Sequence, residues 1–199
     1  MNSFDAARAV EAEGWARLKP YFEEHSGGRI VLTNKGVLAK HLQSIAGDLL
    51  LNDREGAMWA IELKVERRHT GNLFLETWSN RNTSDKGSHA ERGVNRGWLD
   101  HSRADLLAYY FIDKDVLYLV DLFELKRWAF GCRVSDGQGG FCDVDGRIYA
   151  FPEKQQGAFK QLNETCGRIV PINTLSRELG KNFRVRVELA QLTLFGAAA

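Results

Sequence analysis

Two apolar runs joined by a short polar turn constrain the fold of this chain more than any other stretch. The first run covers residues 47–52 and the second covers residues 58–65, with a turn rich in Asp, Glu and Gly between them. Apolar runs on either side of such a turn predict an antiparallel β-hairpin. If the hairpin is centred near Glu55, Asn52 lies opposite Met58.

The alternation within the second run separates its polar side chains from its apolar ones. With a period of two, one face of the strand carries Trp59, Ile61, Leu63 and Val65. Glu62 and Lys64 lie on the other face, and the hairpin register places Asp48 opposite Glu62. Two carboxylates and an ammonium group therefore converge within an otherwise apolar sheet. Because buried charges are costly unless they are paired or bind a cation, this arrangement predicts a divalent metal site.

Composition favours one globular domain over residues 1–199, since 44% of the residues are hydrophobic and 11% are aromatic. The formal net charge of +1 gives no chain-wide signal for nucleic acid, so any such binding must come from a local patch. The three cysteines form neither a disulfide framework nor a zinc pattern, which indicates a reducing compartment. No apolar run is long enough to span a membrane and no signal peptide begins the chain, so we expect a cytoplasmic protein with no membrane association.

Apolar periodicity and turn residues predict the other elements. Helices are predicted over residues 4–19 (where Pro20 ends or bends the first), 37–45, 102–112, 122–130 and 173–179. Strands are predicted over residues 29–33, 73–78, 115–121, 147–151, 168–172 and 183–189. Loops are predicted over residues 25–28, 79–98 and 131–146. This order predicts a mixed β-sheet covered by helices.

Asp48 on one hairpin strand and Glu62-Leu63-Lys64 on the next resemble the motif of the PD-(D/E)XK nuclease superfamily. The resemblance implies an α/β, restriction-endonuclease-like fold, with a mixed β-sheet core flanked by helices in the order αβββαβ. It covers the hairpin closely and, more loosely, the elements from the first helix to about Phe130. Gly47 is a departure, because it stands where the motif name has proline.

The resemblance also implies a metal-dependent deoxyribonuclease that uses Mg²⁺ (or Mn²⁺). Asp48 and Glu62 would bind the metal together with the backbone carbonyl of Leu63, and Lys64 would orient the attacking water and stabilise its hydroxide form. The chemistry suits these residue types, because Mg²⁺ prefers one or two carboxylates and lowers the pKa of a bound water. Glu76, which we expect on the strand that neighbours the hairpin in the sheet, is a candidate outer-shell carboxylate.

Other interpretations of the hairpin stay open. Glu62 and Lys64 alone are more typical of a solvated edge strand, and the register of Asp48 together with the downstream elements favours the nuclease site. A catalytically inactive nuclease-fold adaptor that binds DNA or a sliding clamp is the alternative function, and an RNA-directed nuclease is a third. Many members of the superfamily act as dimers, so a homodimer is one candidate assembly.

Basic residues near the hairpin and in the polar stretch after it are candidates for binding DNA phosphates: Arg67, Arg68, Arg81, Arg92 and Arg96. Each of them taken singly is more typical of a solvated loop. Further candidate neighbours of the site are His41, Gln43, His69, Asn80, His101 and Ser102.

The tail of residues 190–199 carries a second motif. Gln191-Leu192-x-Leu194-Phe195 resembles the pentapeptide by which bacterial polymerases and repair proteins bind the ring-shaped sliding clamp. In that mode Leu194 and Phe195 anchor in an apolar pocket and the Gln191 amide bonds at its rim. A final β-strand is the alternative interpretation. If the clamp motif holds, it predicts a role in bacterial or phage DNA repair, recombination or restriction.

Overall fold

The structure is a computed structural model that describes residues 3–27, 30–32, 47–80, 95–135, 140–159 and 163–187. The chain divides into two compact units. The first contains Met1–Thr70, Ser102–Leu122 and Gly180–Ala199, and the second contains Gly71–His101 and Phe123–Leu179. Both contain strands and helices, so the predicted α/β class is confirmed at that level.

The helices are α1 (Ser3–Ser26), α2 (Trp98–His101), α3 (Leu122–Phe130) and α4 (Ile172–Leu179). The first six strands are β1 (Ile30–Leu32), β2 (Leu49–Asn52), β3 (Met58–Glu66), β4 (Asn72–Asn80), β5 (Asn95–Arg96) and β6 (Leu106–Phe111). The other six are β7 (Val116–Asp121), β8 (Gly131–Ser135), β9 (Phe141–Asp145), β10 (Glu153–Phe159), β11 (Asn163–Pro171) and β12 (Phe183–Val187). None of the helices in the described ranges is long and apolar enough to cross a membrane.

The first unit is built on a six-stranded sheet with the order β1-β2-β3-β6-β7-β12. Strands β3 and β6 are parallel, and the other neighbours are antiparallel. The predicted hairpin and its register are confirmed, because Asn52 pairs with Met58 and Leu49 pairs with Ile61. The local turn sets this register, since the Asp53 carboxylate accepts hydrogen bonds from the backbone N–H groups of Glu55 and Ala57.

Helix α1 covers one face of this sheet. Leu18 and Phe22 on the helix are buried against Leu49, Ile61 and Leu117 of the sheet. The predicted end of the helix at Pro20 and the predicted loop from residue 25 are wrong, because α1 continues through Pro20 to Ser26. The alternative that Pro20 bends the helix stays a prediction. Burial of the aromatic residues just after the proline offsets the lost backbone hydrogen bond.

The predicted helix over residues 102–112 is also wrong. Residues 106–111 form strand β6, which lies between β3 and β7 at the centre of the sheet. The sequence Leu-Leu-Ala-Tyr-Tyr-Phe is apolar at every position, and the last five of its side chains are buried. A run buried on both faces has no periodicity that distinguishes a strand from a helix, so the apparent helical stripe was uninformative.

The second unit contains a four-stranded antiparallel sheet with the order β10-β11-β4-β5 and the separate hairpin β8–β9. This hairpin corrects the predicted loop over 131–146, and a 3₁₀ helix at Ile148–Ala150 corrects the predicted strand over 147–151. Residues 79–80 extend β4, while residues 95–101 form β5 and α2, which corrects parts of the predicted loop over 79–98. The predictions for β1, β4, β7, α3 and α4 are confirmed, and the prediction for β12 is confirmed over residues 183–187. The predicted strand over 168–172 is the second half of β11, which begins at Asn163 and ends at Pro171. The predicted helix over 37–45 lies outside the described residues.

Candidate metal centre

Asp48 is fixed to strand β3 at the point where β2 begins. Its backbone N–H donates to the carbonyl oxygen of Ile61 at 2.9 Å, and its Oδ2 accepts a hydrogen bond from the N–H of Leu63 at 2.8 Å. Asp48 therefore bonds the backbone on both sides of Glu62. The predicted juxtaposition of Asp48 with the strand that carries Glu62 is present in the first unit.

Glu62 is a buried carboxylate with a partner for each oxygen. Its residue exposure is 7%, its Oε1 lies 2.6 Å from Nζ of Lys64, and its Oε2 accepts a hydrogen bond from the hydroxyl of Ser102 at 2.9 Å. Glu62 and Lys64 are two positions apart on β3 and so share a face. The ammonium and the hydroxyl compensate a charge that would otherwise be costly to bury.

Gly47 has a physical reason to differ from the proline of the motif. Its φ is +67°, a conformation that proline cannot adopt because its ring holds φ near −65°. A Cβ at this position would also lie 2.8 Å from the carbonyl oxygen of Ile61. Glycine therefore allows the backbone to approach β3 closely enough for Asp48 to reach the N–H of Leu63.

The backbone of Leu63 faces the side of β3 on which Asp48 lies. In an extended strand the N–H and C=O of one residue point to the same side. Because the N–H of Leu63 bonds to Asp48, the Leu63 carbonyl also faces that edge. Two carboxylates and a carbonyl thus supply only oxygen ligands, which fits Mg²⁺ better than zinc. Among the described residues, no three His, Cys, Asp or Glu side chains are grouped so that they could hold a metal ion, so Mg²⁺ would need water or phosphate to complete its shell.

Residues 102–105 are held against β3 by hydrogen bonds that the sequence did not predict. The Asp105 N–H donates to the carbonyl of Ala60, and its Oδ2 accepts from the Ala60 N–H, both at 2.8 Å. These bonds hold the segment that places the Ser102 hydroxyl against Glu62. Ser102 followed by Asp105 reads as a helix start in the sequence, so no local signal indicated this contact.

Strand β6 contributes a phenol to the face that carries Glu62. Tyr109 lies beside Lys64 in the parallel register and donates its hydroxyl proton to Glu66. Burial raises the pKa of Glu66 above its ordinary value, and the hydrogen bond from Tyr109 opposes that rise. This face of β3 therefore carries Glu62, Lys64 and Glu66 in succession.

Glu76 lies in the second unit. Its strand β4 pairs with β11 and β5, so the expectation that it neighbours the hairpin strand within one sheet is wrong. The Ser79 hydroxyl donates a hydrogen bond to the Glu76 carboxylate. The outer-shell role of Glu76 stays a prediction.

The candidate DNA-binding arginines that the structure describes belong to different units. Arg67 and Arg68 are exposed after β3 in the first unit, where Arg67 forms an ion pair with Glu13 of α1 at 2.9 Å. Arg96 is in the second unit, where it pairs with Asp100 at 3.0 Å and lies over the ring of Trp78. The His69 ring is hydrogen-bonded to the Tyr118 hydroxyl, and Nδ1 of His101 donates to the backbone oxygens of Arg96 and Gly97.

Several predicted residues lie outside the described part of the chain. They are His41, Gln43, Arg81 and Arg92, together with the clamp-motif residues Gln191, Leu192, Leu194 and Phe195. Their roles stay predictions.

Comparison of the chain with protein-family models, with curated protein sequences and with solved structures found no match.

Proposed function

We propose that the chain is a metal-dependent deoxyribonuclease that hydrolyses DNA phosphodiester bonds in bacterial or phage DNA repair, recombination or restriction. The observation that carries the proposal is the position of Asp48, which bonds the backbone of β3 beside the buried Glu62–Lys64 ion pair. A buried carboxylate held against an ammonium, with a second carboxylate on the adjacent backbone, is the kind of cluster from which a catalytic site can be built. The sequence motif of Asp48 and Glu62-x-Lys64 supports the same function.

Each residue has a distinct role in this proposal. Asp48, Glu62 and the Leu63 carbonyl would hold Mg²⁺ or Mn²⁺, which would polarise the phosphoryl oxygens and acidify a bound water. Lys64 is only partly buried while Glu62 is almost fully buried, so the ammonium lies between the carboxylate and solvent. From that position it can orient a water molecule and stabilise the hydroxide that attacks phosphorus.

Ser102 is a positioning residue in this proposal. Its hydroxyl bonds one oxygen of Glu62 and fixes the rotation of the carboxylate, as groups around metal ligands commonly do. Its loss is expected to weaken metal-dependent activity about 10- to 100-fold, and Ser102→Thr, which keeps a hydroxyl, is expected to retain more activity than Ser102→Ala.

The test is cleavage of end-labelled linear duplex, flap, junction and single-stranded DNA with Mg²⁺ or Mn²⁺, and with EDTA as the metal-free control. Asp48→Asn and Glu62→Gln should abolish cleavage, and Lys64→Met should lower it about 10²- to 10⁴-fold. Glu55→Gln removes an exposed carboxylate from the turn of the same hairpin and is the matched control, with unchanged cleavage expected. Cleavage that survives Asp48→Asn and Lys64→Met would refute the assigned site, and parallel RNA substrates would reveal an RNA-directed enzyme.

A non-catalytic adaptor is the second candidate function. The observation in its favour is that both oxygens of Glu62 already bond to Lys64 and Ser102, as in a site that is closed by protein groups. This alternative predicts binding to DNA or to a bacterial sliding clamp without metal-dependent cleavage. Retention on immobilised clamp should be compared for the full chain and for a Leu194→Ala, Phe195→Ala variant, and equal retention would eliminate the clamp motif.

A further inference from the structure

A cavity of about 330 Å³ lies in the first unit, next to the C-terminal part of α1. Trp59 and Ile61 of β3 line this cavity. Successive residues of a strand face opposite sides of a sheet. Glu62 and Lys64 are therefore on the other face. The cavity is separate from the candidate metal centre, and its volume is at the small end of the roughly 300–1,000 Å³ typical of small-molecule sites.

Aromatic and aliphatic side chains form most of the cavity wall. Tyr21 and Phe22 of α1 contribute rings, and Leu106 and Leu119 contribute an aliphatic floor from the sheet. Trp59 is a large aromatic residue that remains 38% exposed, although an apolar sheet face is directly beside it. Such a wall favours a planar ligand that can stack on an indole ring.

The Trp59 ring is held in place before any ligand binds. Its Nε1 donates a hydrogen bond to Oδ2 of Asp53 at 2.9 Å. Asp53 is also tied to the turn by the backbone N–H groups of Glu55 and Ala57. The bond from Trp59 lowers the pKa of Asp53, so this carboxylate stays ionised and keeps its acceptor role at neutral pH.

Polar groups line the cavity at two places: His25 and Asp53 lie near α1 and the β2–β3 turn, and the others lie at the end of β7 and around the start of β12. Lys181 and Arg184 supply cations, and Asp121 supplies a carboxylate. Within the described residues, neither Lys181 nor Arg184 forms an ion pair with a carboxylate. The two cations suit a phosphate group.

We propose that this cavity binds a nucleoside monophosphate, with the base stacked on Trp59 and the phosphate at Lys181 and Arg184. A planar aromatic base joined to an anionic group matches the aromatic wall and the two cations of the cavity together. The same chemistry is present in a free mononucleotide and in the terminal nucleotide of a DNA strand. The proposal does not depend on catalysis at Asp48, Glu62 and Lys64.

Isothermal titration calorimetry on the full chain in EDTA, without divalent metal, tests the proposal. Deoxyadenosine 5′-monophosphate should bind, and deoxyadenosine, which lacks the phosphate, should bind about 10- to 100-fold more weakly. The double variant Lys181→Gln, Arg184→Gln should bind the monophosphate only as tightly as the wild type binds the nucleoside. Trp59→Leu should weaken both ligands, whereas Trp59→Phe, which keeps a ring, should weaken them less.

Two matched controls separate the cavity from other charged parts of the first unit. Lys114→Gln removes an exposed lysine that does not line the cavity, and Glu62→Gln changes the opposite face of the sheet. Both should bind the monophosphate like the wild type, and thermal unfolding confirms that each variant is folded. Glu62→Gln also distinguishes the two proposals, because it should abolish cleavage while leaving nucleotide binding intact.

A short 5′-phosphorylated oligonucleotide distinguishes the two sources of the ligand. Binding of the oligonucleotide but not of the free monophosphate would assign the cavity to a strand end, and binding of the monophosphate would assign it to a free nucleotide. If the wild type binds neither ligand, or if the double variant binds the monophosphate as tightly as the wild type, the proposal is wrong.

Discussion

The two faces of the six-stranded sheet in the first unit contain equally buried residues of opposite chemistry. Leu63 and Glu62 are adjacent on β3, and each is 7% exposed. Leu63 belongs to the apolar cluster beneath α1, whereas Glu62 faces Lys64 and Ser102. Burial stabilises the leucine directly, but it is costly for a carboxylate unless its partners offset the desolvation.

This difference distinguishes a face whose burial stabilises the fold from a face whose burial must be offset by partners. A buried ion pair contributes little net stability compared with apolar side chains of the same size, although breaking it is destabilising. The polar face of β3 is therefore expected to respond to paired substitutions in a way that the apolar face does not. The following predictions use that contrast.

The largest loss of stability is expected on the apolar face. Leu18 of α1 is fully buried in the cluster that contains Ile61 and Leu117. Leu18→Ala should lower the free energy of unfolding by about 2–5 kcal/mol because it leaves a cavity, as measured by urea denaturation. Lys19→Ala on the same helix is the control, since its ion pair with Glu23 is exposed and should contribute about 0.5 kcal/mol or less. Similar losses for both variants would contradict the assigned packing of α1.

On the polar face, removing one partner of the ion pair should cost more than removing both. Lys64→Met leaves the buried Glu62 carboxylate without its ammonium and should lower the free energy of unfolding by about 2–3 kcal/mol, moderated by the partial exposure of Lys64. The double variant Glu62→Gln, Lys64→Met should recover at least about 1 kcal/mol of that loss. A double-mutant cycle in urea measures the difference, and strictly additive losses would show that the two residues are not coupled.

The sequence was sufficient for the hairpin because its determinants are local. Asp53 lies in the turn and bonds it, and the alternation through Ile61 and Leu63 sets which side chains face the core. Register follows from a turn and a period of two, so the amino-acid sequence alone is enough to place Asp48 beside β3. The positions of Asp48, Glu62 and Lys64 therefore follow from these short-range signals.

The surroundings of the hairpin could not be predicted in the same way. Strand β6 pairs with β3 across a long stretch of chain, and its continuous apolar sequence fits a helix as well as a strand. The contact of Ser102 with Glu62 and the bonds of Asp105 with Ala60 depend on that parallel pairing. The positive φ of Gly47 depends on the same tertiary approach to Ile61, which a single sequence does not encode locally.

A smaller loss of stability is expected at Gly47, where the backbone that leads into Asp48 lies close to β3. Gly47→Ala introduces a Cβ at positive φ that would lie 2.8 Å from the Ile61 carbonyl oxygen, and should cost about 1–3 kcal/mol. Gly56→Ala is the matched control, because Gly56 also has a positive φ of 91° but has nothing within 4 Å of the added carbon. Urea denaturation should show the larger loss at Gly47, and equal losses would mean that backbone strain alone, without close approach to β3, explains both.

The smallest expected effect is a pH dependence from Glu66, because it involves one partly solvated group. Burial raises its pKa above the ordinary value of 4.5, against the hydrogen bond from Tyr109. The folded chain therefore retains this proton more strongly than the unfolded chain, and the resulting stabilisation is present below pH 4.5 and is lost as pH rises through the raised pKa.

Glu66→Gln should remove that loss, so the variant gains stability relative to the wild type as pH increases through that range. Tyr109→Phe should move the loss to higher pH, since it removes the bond that opposes the rise. Denaturation curves at a series of pH values measure both shifts. If the free energy of unfolding depends on pH in the same way for the wild type and for Glu66→Gln, then the charge of Glu66 does not affect stability and this end of the polar face behaves like the apolar face.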